Sequence, residues 1–205
     1  MPAQHDLFSD PIRFDSLDDV VAGMQALTDD PLAPEGTGIV VYRGNPLARL
    51  MVIGEAPGAE EDRLGKPFVG KSGQLLDRIL AAAGIDPERD VFVTNAVFRR
   101  PPENRKPTAE EIAWYRPYLM EIVRLVDPAV VLLAGGVAAE SVLSEKRGIT
   151  RTRGQWYDWE GRRAMPVYHP AYLLRNPSKA PGSPKAQMWD DIRAVKRALD
   201  EQGPA

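Results

Sequence analysis

The sequence predicts an α/β fold in which a central four-stranded parallel sheet lies between two layers of helices, a three-layer α/β/α arrangement. Four short runs of apolar and β-branched residues are separated by stretches with helical periodicity, which is typical of a parallel sheet covered by helices. Each run is followed at once by a short polar or glycine-containing motif. The predicted strands are Leu50–Ile53, Val91–Val93, Val130–Leu133 and Met165–Tyr168.

The flanking elements follow from capping residues and helix breakers. Ser16, with Asp19 three residues later, predicts the start of a helix over 16–27, and a short edge strand is expected over Ile39–Tyr42. Residues 55–71 read as one long loop rich in glycine and proline, a kind of loop that is usually functional. The later helices are predicted over 72–83, from 108 to about 125, from the third strand to about 143, and over 186–201.

Length and composition indicate an ordinary folded protein. The 205 residues are 43% hydrophobic and 27% charged, which fits one domain, residues 16–205, preceded by a flexible acidic tail at residues 1–15. No apolar stretch approaches the roughly 18 residues of a membrane span, and no secretory signal is recognisable, so a cytoplasmic protein is expected. The absence of cysteine excludes disulfides, thiolate metal sites and a thiol nucleophile.

The net charge of −3 conceals an asymmetry between the first residues and the rest. Residues 1–35 hold eight acidic side chains and one basic one, whereas residues 36–205 hold 25 basic and 21 acidic side chains, a formal charge of +4. Several predicted loops are basic, which is typical of a surface that binds a polyanion, although loops are also charged simply because they face water. The three basic groups lie within 99–106, 146–153 and 175–185.

The motifs after the predicted strands define a candidate active site. In parallel sheets, ligands bind beyond the carboxyl ends of the strands, so these motifs should meet at one edge although they span 115 residues. They would bring together a carboxylate, an amide, a glycine pair and an imidazole. The motifs are Gly54–Gly58, Thr94–Asn95, Ala134–Gly136 and His169–Pro170.

Four segments resemble the uracil-DNA glycosylase superfamily, and most closely its family 4. The resemblance covers about residues 40–195 and implies an enzyme that flips uracil out of DNA and hydrolyses its N-glycosidic bond, leaving an abasic site for base excision repair. A non-catalytic module that binds uracil-containing or damaged DNA is the alternative, and a nucleotide-metabolism enzyme is less favoured. The matching segments are 44–58, 65–73, 94–97 with 100–107, and 169–177.

The resemblance implies a role for four side chains. Asn95 would bind the O4/N3 edge of uracil, Phe68 would stack on the flipped base, and His169 would donate a hydrogen bond to O2 as the bond breaks. Glu55 would orient water or stabilise the oxocarbenium ion. The alternatives are a turn asparagine, a buried loop anchor, a structural histidine and a structural carboxylate. The uracil pocket would also include Ala56 and Gly58.

Further residues are candidates for contact with DNA. Leu173, beside Tyr172, would insert into the space that the flipped base leaves, as the equivalent loop does in the superfamily. Gly58, Gly70 and Ser72 would let the backbone approach a phosphate. Glu61 and Asp62 are expected on a solvated loop face. The full predicted set is Ser72, Arg100, Arg105, Lys106, Arg153, Tyr172, Leu173 and Arg175.

The chain departs from the family at the cofactor. Family 4 enzymes hold a [4Fe–4S] cluster on four cysteines, and this chain has none, so no cofactor and no metal are expected. By alignment the four positions fall on Leu27, Asp30, Arg99 and Tyr115. The opposite charges of Asp30 and Arg99 predict an ion pair where the cluster would lie, with Tyr115 packed over it.

Two smaller signals concern partners. The branch of the superfamily that cross-links to DNA uses a histidine after the Asn motif, and residues 96–120 contain none, so turnover without a stable adduct is expected. The segment Gln4–Phe8 resembles the peptide that binds bacterial sliding clamps, although it also reads as an acidic disordered tail. The expected protein is a monomer that acts on DNA at the nucleoid.

Overall fold

A computed structural model describes residues 12–201 of the chain. Within these residues, six strands form one sheet, in the order β1-β3-β2-β4-β6-β5. The strands are β1 (Arg43–Gly44), β2 (Leu50–Gly54), β3 (Val91–Asn95), β4 (Val130–Ala134), β5 (Tyr157–Trp159) and β6 (Arg162–Val167).

Helices cover both faces of this sheet. Two short 3₁₀ turns, Ala33–Glu35 and Pro102–Asn104, lie in the connections. The α-helices are α1 (Leu17–Gln25), α2 (Ala59–Leu64), α3 (Lys71–Ala82), α4 (Ala109–Val126), α5 (Gly136–Leu143), α6 (Ile149–Thr152), α7 (Pro170–Arg175) and α8 (Pro184–Glu201).

The predicted parallel sheet is confirmed, with two additions at its edges. β3, β2, β4 and β6 run parallel as neighbours, whereas β1 pairs antiparallel with β3 and β5 antiparallel with β6. The edge strand expected over Ile39–Tyr42 is wrong in position, since pairing with β3 occurs only at Arg43–Gly44. These short pairings depend on tertiary contacts that an apolar run of a few residues does not reveal.

Alternating side chains of the central strands supply two cores, which makes the fold three-layered. Met51 and Ile53 pack with α1, α4 and α5 on one face. Leu50 and Val52 pack with α3, α7 and α8 on the other. Because strand side chains alternate in direction, each central strand contributes to both cores, and this explains why the runs are apolar throughout.

The predicted helix caps are confirmed, and one predicted loop is corrected. The Ser16 hydroxyl accepts a hydrogen bond from the Asp19 N–H, and Thr108 and Glu111 form a capping box at the start of α4. The segment expected to be a single loop over residues 55–71 contains α2. Among residues 12–201 no helix is both long and apolar enough to cross a membrane.

Candidate active site

A cleft of about 580 Å³ lies beyond the carboxyl ends of the parallel strands. This volume falls within the ordinary range for small-molecule sites. Three of the four strand-end motifs contribute to it, so the expected convergence at one sheet edge is observed. The residues that line the cleft are Glu55, Ala56, Pro57, Gly58, Glu61, Phe68, Ser72, Asn95, Pro101, Asn104, Arg105, His169, Ala171 and Arg175.

Asn95 is the last residue of β3 and is almost completely buried. Its register partner on β2 is Gly54. A Cβ atom at Gly54 would collide with both the Asn95 Oδ1 and the Phe68 ring. The missing side chain of Gly54 therefore lets the amide and the aromatic ring approach each other across the floor of the cleft.

Phe68 lies in the connection between α2 and α3 with only 5% of its surface exposed. Its ring centroid is 5.8 Å from that of His169, and the two ring planes are inclined by 33°. The ring thus belongs both to the core and to the wall of the cleft. The burial of the ring agrees with the alternative that Phe68 anchors the loop in the core. The ring nevertheless lines the cleft.

His169 caps the N-terminus of α7, and its Nδ1 accepts a hydrogen bond from the Ala171 N–H at 3.2 Å. In the neutral ring the proton is consequently on Nε2. Burial and, to a lesser extent, the Arg175 cation lower the pKa of His169 against the opposing Glu61 charge, to about 4. The imidazole is therefore neutral at pH 7. Gly135 lies directly behind it, where a Cβ would come within 3.1 Å of the His169 Cβ.

Glu55 follows β2 directly and faces the cleft. Burial raises the pKa of its carboxyl group, and the Lys106 cation partly offsets this rise. Among residues 12–201 no hydrogen-bond donor contacts the Glu55 carboxylate. A desolvated carboxylate with no fixed partner is suited to binding water or a developing positive charge.

The predicted basic residues differ in how strongly they are already paired. Arg105 forms a salt bridge with Glu111, and Lys106 lies 3.6 Å from Glu140. Both remain substantially exposed at the rim, and Arg175 and Ser72 line the cleft itself.

Arg100 and Arg153 also have partners within the protein. The Arg100 Nε donates to Asn104 Oδ1 at 2.8 Å. Arg153, which was predicted to contact DNA, pairs with buried Asp191 through two nitrogens, and its side chain is only 18% exposed. Asp191 lies on α8, 38 residues away, so the sequence neighbourhood of Arg153 gave no sign of this pairing.

Leu173, which was predicted to insert into the space that the flipped base leaves, does not reach the surface: it is fully buried in the core that α3 and α8 also contribute to. Because residues 170–175 form a helix, consecutive side chains point in different directions, and Tyr172 and Leu174 are its exposed apolar side chains at 38% and 42%.

Glu61 is the cleft residue that sequence reasoning misjudged. Its carboxylate accepts hydrogen bonds from the backbone N–H groups of Gly58, Val69 and Gly70 and so is not a solvated loop charge. Asp62 likewise accepts a bond from the Gly38 N–H at 2.8 Å. The position of Glu61 three residues after Gly58, at a helix start, was the available signal.

The four positions aligned with the cluster cysteines do meet in space. Arg99 Nε lies 3.0 and 2.9 Å from the two carboxylate oxygens of Asp30, which confirms the predicted ion pair. The Tyr115 hydroxyl donates to Asp30, and Arg99 Nη2 donates to the Leu27 carbonyl at 3.0 Å. A further Arg99 nitrogen bonds the Thr37 carbonyl. These side chains do not fit an iron–sulfur cluster, because they offer no thiolate and a guanidinium fills the space between them.

Comparison with known proteins identifies the family. A family model described as the uracil DNA glycosylase superfamily matches residues 41–193, which include every residue that lines the cleft. The chain belongs to the uracil-DNA glycosylase superfamily.

Relatives within the uracil-DNA glycosylase superfamily cover most of the chain. A protein named type-4 uracil-DNA glycosylase from Thermotoga maritima is 38% identical over 175 residues, which are 84% of this chain and 89% of that protein. Proteins of the same name from Archaeoglobus fulgidus and Saccharolobus solfataricus are 37% and 38% identical over 80% and 78% of this chain and 85% and 75% of their own lengths. The segment Gln4–Phe8 lies outside the described residues.

Proposed function

We propose that this protein is a uracil-DNA glycosylase that flips uracil out of DNA and hydrolyses its N-glycosidic bond. The observation that carries the proposal is the convergence of Glu55, Asn95 and His169 on one cleft, with the Phe68 ring in its wall. The family and the type-4 names of the relatives support it. Each of these side chains matches one requirement of base removal.

Recognition of the base rests on Asn95 and Phe68. A buried amide held at the end of a strand can accept from N3–H and donate to O4 of uracil. Cytosine lacks the N3 proton and carries an amino group at C4, so the same amide orientation rejects it. The Phe68 ring stacks on the flipped base and supplies apolar contact without reading its edge.

Bond breakage rests on His169 and Glu55. The C1′–N1 bond breaks, and its electron pair leaves with the uracil, where the Nε2–H of neutral His169 stabilises the charge at O2. The Glu55 carboxylate stabilises the positive charge at C1′, orients the attacking water and accepts its proton. The uracil anion takes up a proton equivalent to the one that water loses, so the products are free uracil and an abasic site. The described cleft lining contains no lysine, which favours water over an amine as the nucleophile and hence a monofunctional enzyme.

The rim of the cleft fits a DNA backbone. Arg100, Arg105, Lys106 and Arg175 supply positive charge, and Ser72 lies in the first turn of α3, where backbone N–H groups suit a phosphate. Tyr172 and Leu174 are the exposed apolar side chains of α7. They, and not Leu173, enter the space that the flipped base leaves.

The test is release of free uracil from a labelled oligonucleotide, followed by alkaline cleavage at the abasic site. Release from uracil-containing but not cytosine-containing strands is expected. Tight binding of uracil-containing DNA without release would instead favour the non-catalytic binding module. A complex that survives heat and detergent would contradict turnover without an adduct.

Four further features are proposed. The protein works without an iron–sulfur cluster, as a monomer, in the cytoplasm at the nucleoid. The segment Gln4–Phe8 binds a sliding clamp. Deletion of residues 1–9 is then expected to abolish capture by the clamp and to leave uracil release unchanged, and retention of capture would contradict the clamp proposal.

A further inference from the structure

Phe68 has an uncommon backbone conformation. Its φ is +54°, in the left-handed region that bulky side chains rarely adopt. Such conformations persist only where surrounding contacts fix them, and they are concentrated at ligand sites. The contacts of the Phe68 loop (residues 65–70) therefore indicate what holds the ring in the cleft wall.

Glu61 holds the peptides that follow Phe68. Its Oε1 accepts from the N–H groups of Val69 at 2.9 Å and Gly70 at 2.8 Å, and its Oε2 accepts from Gly58 at 3.2 Å. Hydrogen bonds to an ionised carboxylate are roughly twice as strong as those between neutral groups. One side chain thus joins the Phe68 loop to the start of α2.

Arg43 holds the peptide that precedes Phe68. Its Nε donates to the Pro67 carbonyl at 2.9 Å. The guanidinium is only 7% exposed and is fixed from its other side by Asp77 at 2.5 Å and Glu88 at 3.3 Å. A short edge strand, β1, therefore places a buried cation against the loop from outside the cleft.

Gly73 bounds the third side of the loop. A Cβ atom at Gly73, in α3, would collide with the Phe68 carbonyl. The loop backbone consequently lies directly against this helix. The peptides before and after Phe68 are both fixed, and its own carbonyl has no room to rotate.

We propose that Arg43 and Glu61, together called the Phe68 brace, are positioning residues for base stacking. This inference rests on the proposed function. The brace holds the ring in its stacking position before the base arrives. Binding of the flipped uracil therefore does not have to order the Phe68 loop. Displacement of a positioning group by about 1 Å can lower an enzymatic rate about a hundredfold.

The test is a double-mutant cycle in single-turnover uracil release at saturating enzyme. Glu61→Ala and Arg43→Met are each expected to lower the rate about tenfold to a hundredfold in the otherwise unchanged protein. In a Phe68→Ala background the same substitutions are expected to cost less than about threefold, because they act through that ring. DNA affinity is expected to change less than about threefold.

Conservative and control variants sharpen the cycle. Glu61→Gln keeps an acceptor for Val69 and Gly70 but turns an NH₂ group towards the Gly58 N–H, so it is expected to recover only part of the rate. Glu60→Gln removes a neighbouring charge that, within residues 12–201, forms an ion pair only with exposed Arg63, and it is expected to retain the full rate. If Glu61→Ala lowers the rate by the same factor in the otherwise unchanged protein and in the Phe68→Ala background, the brace is overturned.

Hydrogen exchange separates the brace from the proposed function. The amides of Val69 and Gly70 are expected to exchange at least about tenfold faster in Glu61→Ala than in Glu60→Gln, while amides of β4 stay protected and show that the variant is folded. Unchanged exchange at both amides would overturn the brace alone. Failure of the unaltered protein to release uracil would overturn the proposed function alone.

Discussion

Arg99 and Asp30 form a buried ion pair that joins segments 69 residues apart. The Asp30 side chain is fully buried and that of Arg99 is 11% exposed. With the Leu27 carbonyl and the Tyr115 hydroxyl, they form a hydrogen-bonded cluster at the positions that the sequence resemblance aligns with the family's cluster cysteines. Burial raises the pKa of the Tyr115 hydroxyl, and so does the Asp30 carboxylate, so the phenol stays protonated and donates. These side chains join the segment after β3 to the segment after α1 and to helix α4.

Removal of one partner of this pair is expected to destabilise the protein strongly. Arg99→Met leaves the Asp30 carboxylate buried without its cation, and it is expected to lower the free energy of unfolding by about 3 kcal/mol. Urea denaturation at pH 7 measures this change. Arg63→Ala, which removes a solvent-exposed ion pair with Glu60, is the control and is expected to cost at most about 1 kcal/mol. Equal effects of the two substitutions would contradict the role given to the buried pair.

The acid limit of the reaction is expected to report the pKa of Glu55. Burial raises this pKa and Lys106 lowers it, and in the proposed mechanism the carboxylate acts in its ionised form. The single-turnover rate should therefore rise with pH around a pKa higher than that of an ordinary glutamate. Lys106→Met should move this acid side of the rate–pH profile to higher pH. A rate–pH profile at saturating enzyme measures the shift, and Lys106→Arg is the control that keeps the charge. If the acid side of the rate–pH profile is at the same pH in Lys106→Met as in the unaltered protein, Glu55 is not the group whose titration limits the rate.

Loss of either polar group proposed to bind the base is expected to slow uracil release. Asn95→Ala and His169→Ala each remove a contact that the proposed mechanism makes in the transition state, and each should lower the single-turnover rate at least about tenfold. Glu103→Ala alters an exposed side chain outside the cleft and should leave the rate unchanged. Near-normal rates for both cleft variants would exclude the proposed pocket.

His169 is expected to make the fold less stable in acid. Its folded pKa of about 4 lies below the value of 6.5 expected when unfolded, so between these values the unfolded chain binds the proton more tightly. The stability of the protein relative to His169→Gln should be constant above pH 6.5 and should fall by about 1 to 2 kcal/mol by pH 5. Denaturant titrations of both proteins at pH 7.5 and pH 5 measure this. A stability difference between the two proteins that does not change with pH would show that the pKa of His169 is not lowered in the folded state.

Gly54→Ala is expected to abolish the pocket. The new Cβ would overlap the Asn95 amide and the Phe68 ring, and neither can move away freely because both are buried. Uracil release should fall at least about a hundredfold. Gly136→Ala is a matched control, since nothing lies within 4 Å of its Cβ, and it should retain the rate. Normal release by Gly54→Ala would contradict the described floor of the cleft.

Local sequence patterns predicted the central sheet because each parallel strand is buried on both faces and must be apolar throughout. The capping residues of α1 and α4 were equally readable, since a cap requires particular side chains at fixed spacing. The strand β5 and the helix α7 were missed, and β1 was misplaced, because each is too short to show a period. The choice of Leu173 as the inserting side chain follows from the missed helix, which turns that side chain inward.

The sequence by itself determined the sheet, the family resemblance and the side chains available at its carboxyl edge, because these depend on residue type and short-range order. Only the tertiary structure decided which charges remain available. It neutralised Arg153 with Asp191, gave Glu61 three backbone donors and buried Arg43 beneath the Phe68 loop. Asp191 lies 38 residues from Arg153 and Pro67 lies 24 residues from Arg43, whereas the farthest donor to Glu61 lies 9 residues from it. In each case the fold sets the distance between the partners and buries them, and burial strengthens a charge pair without leaving a local signature in the sequence.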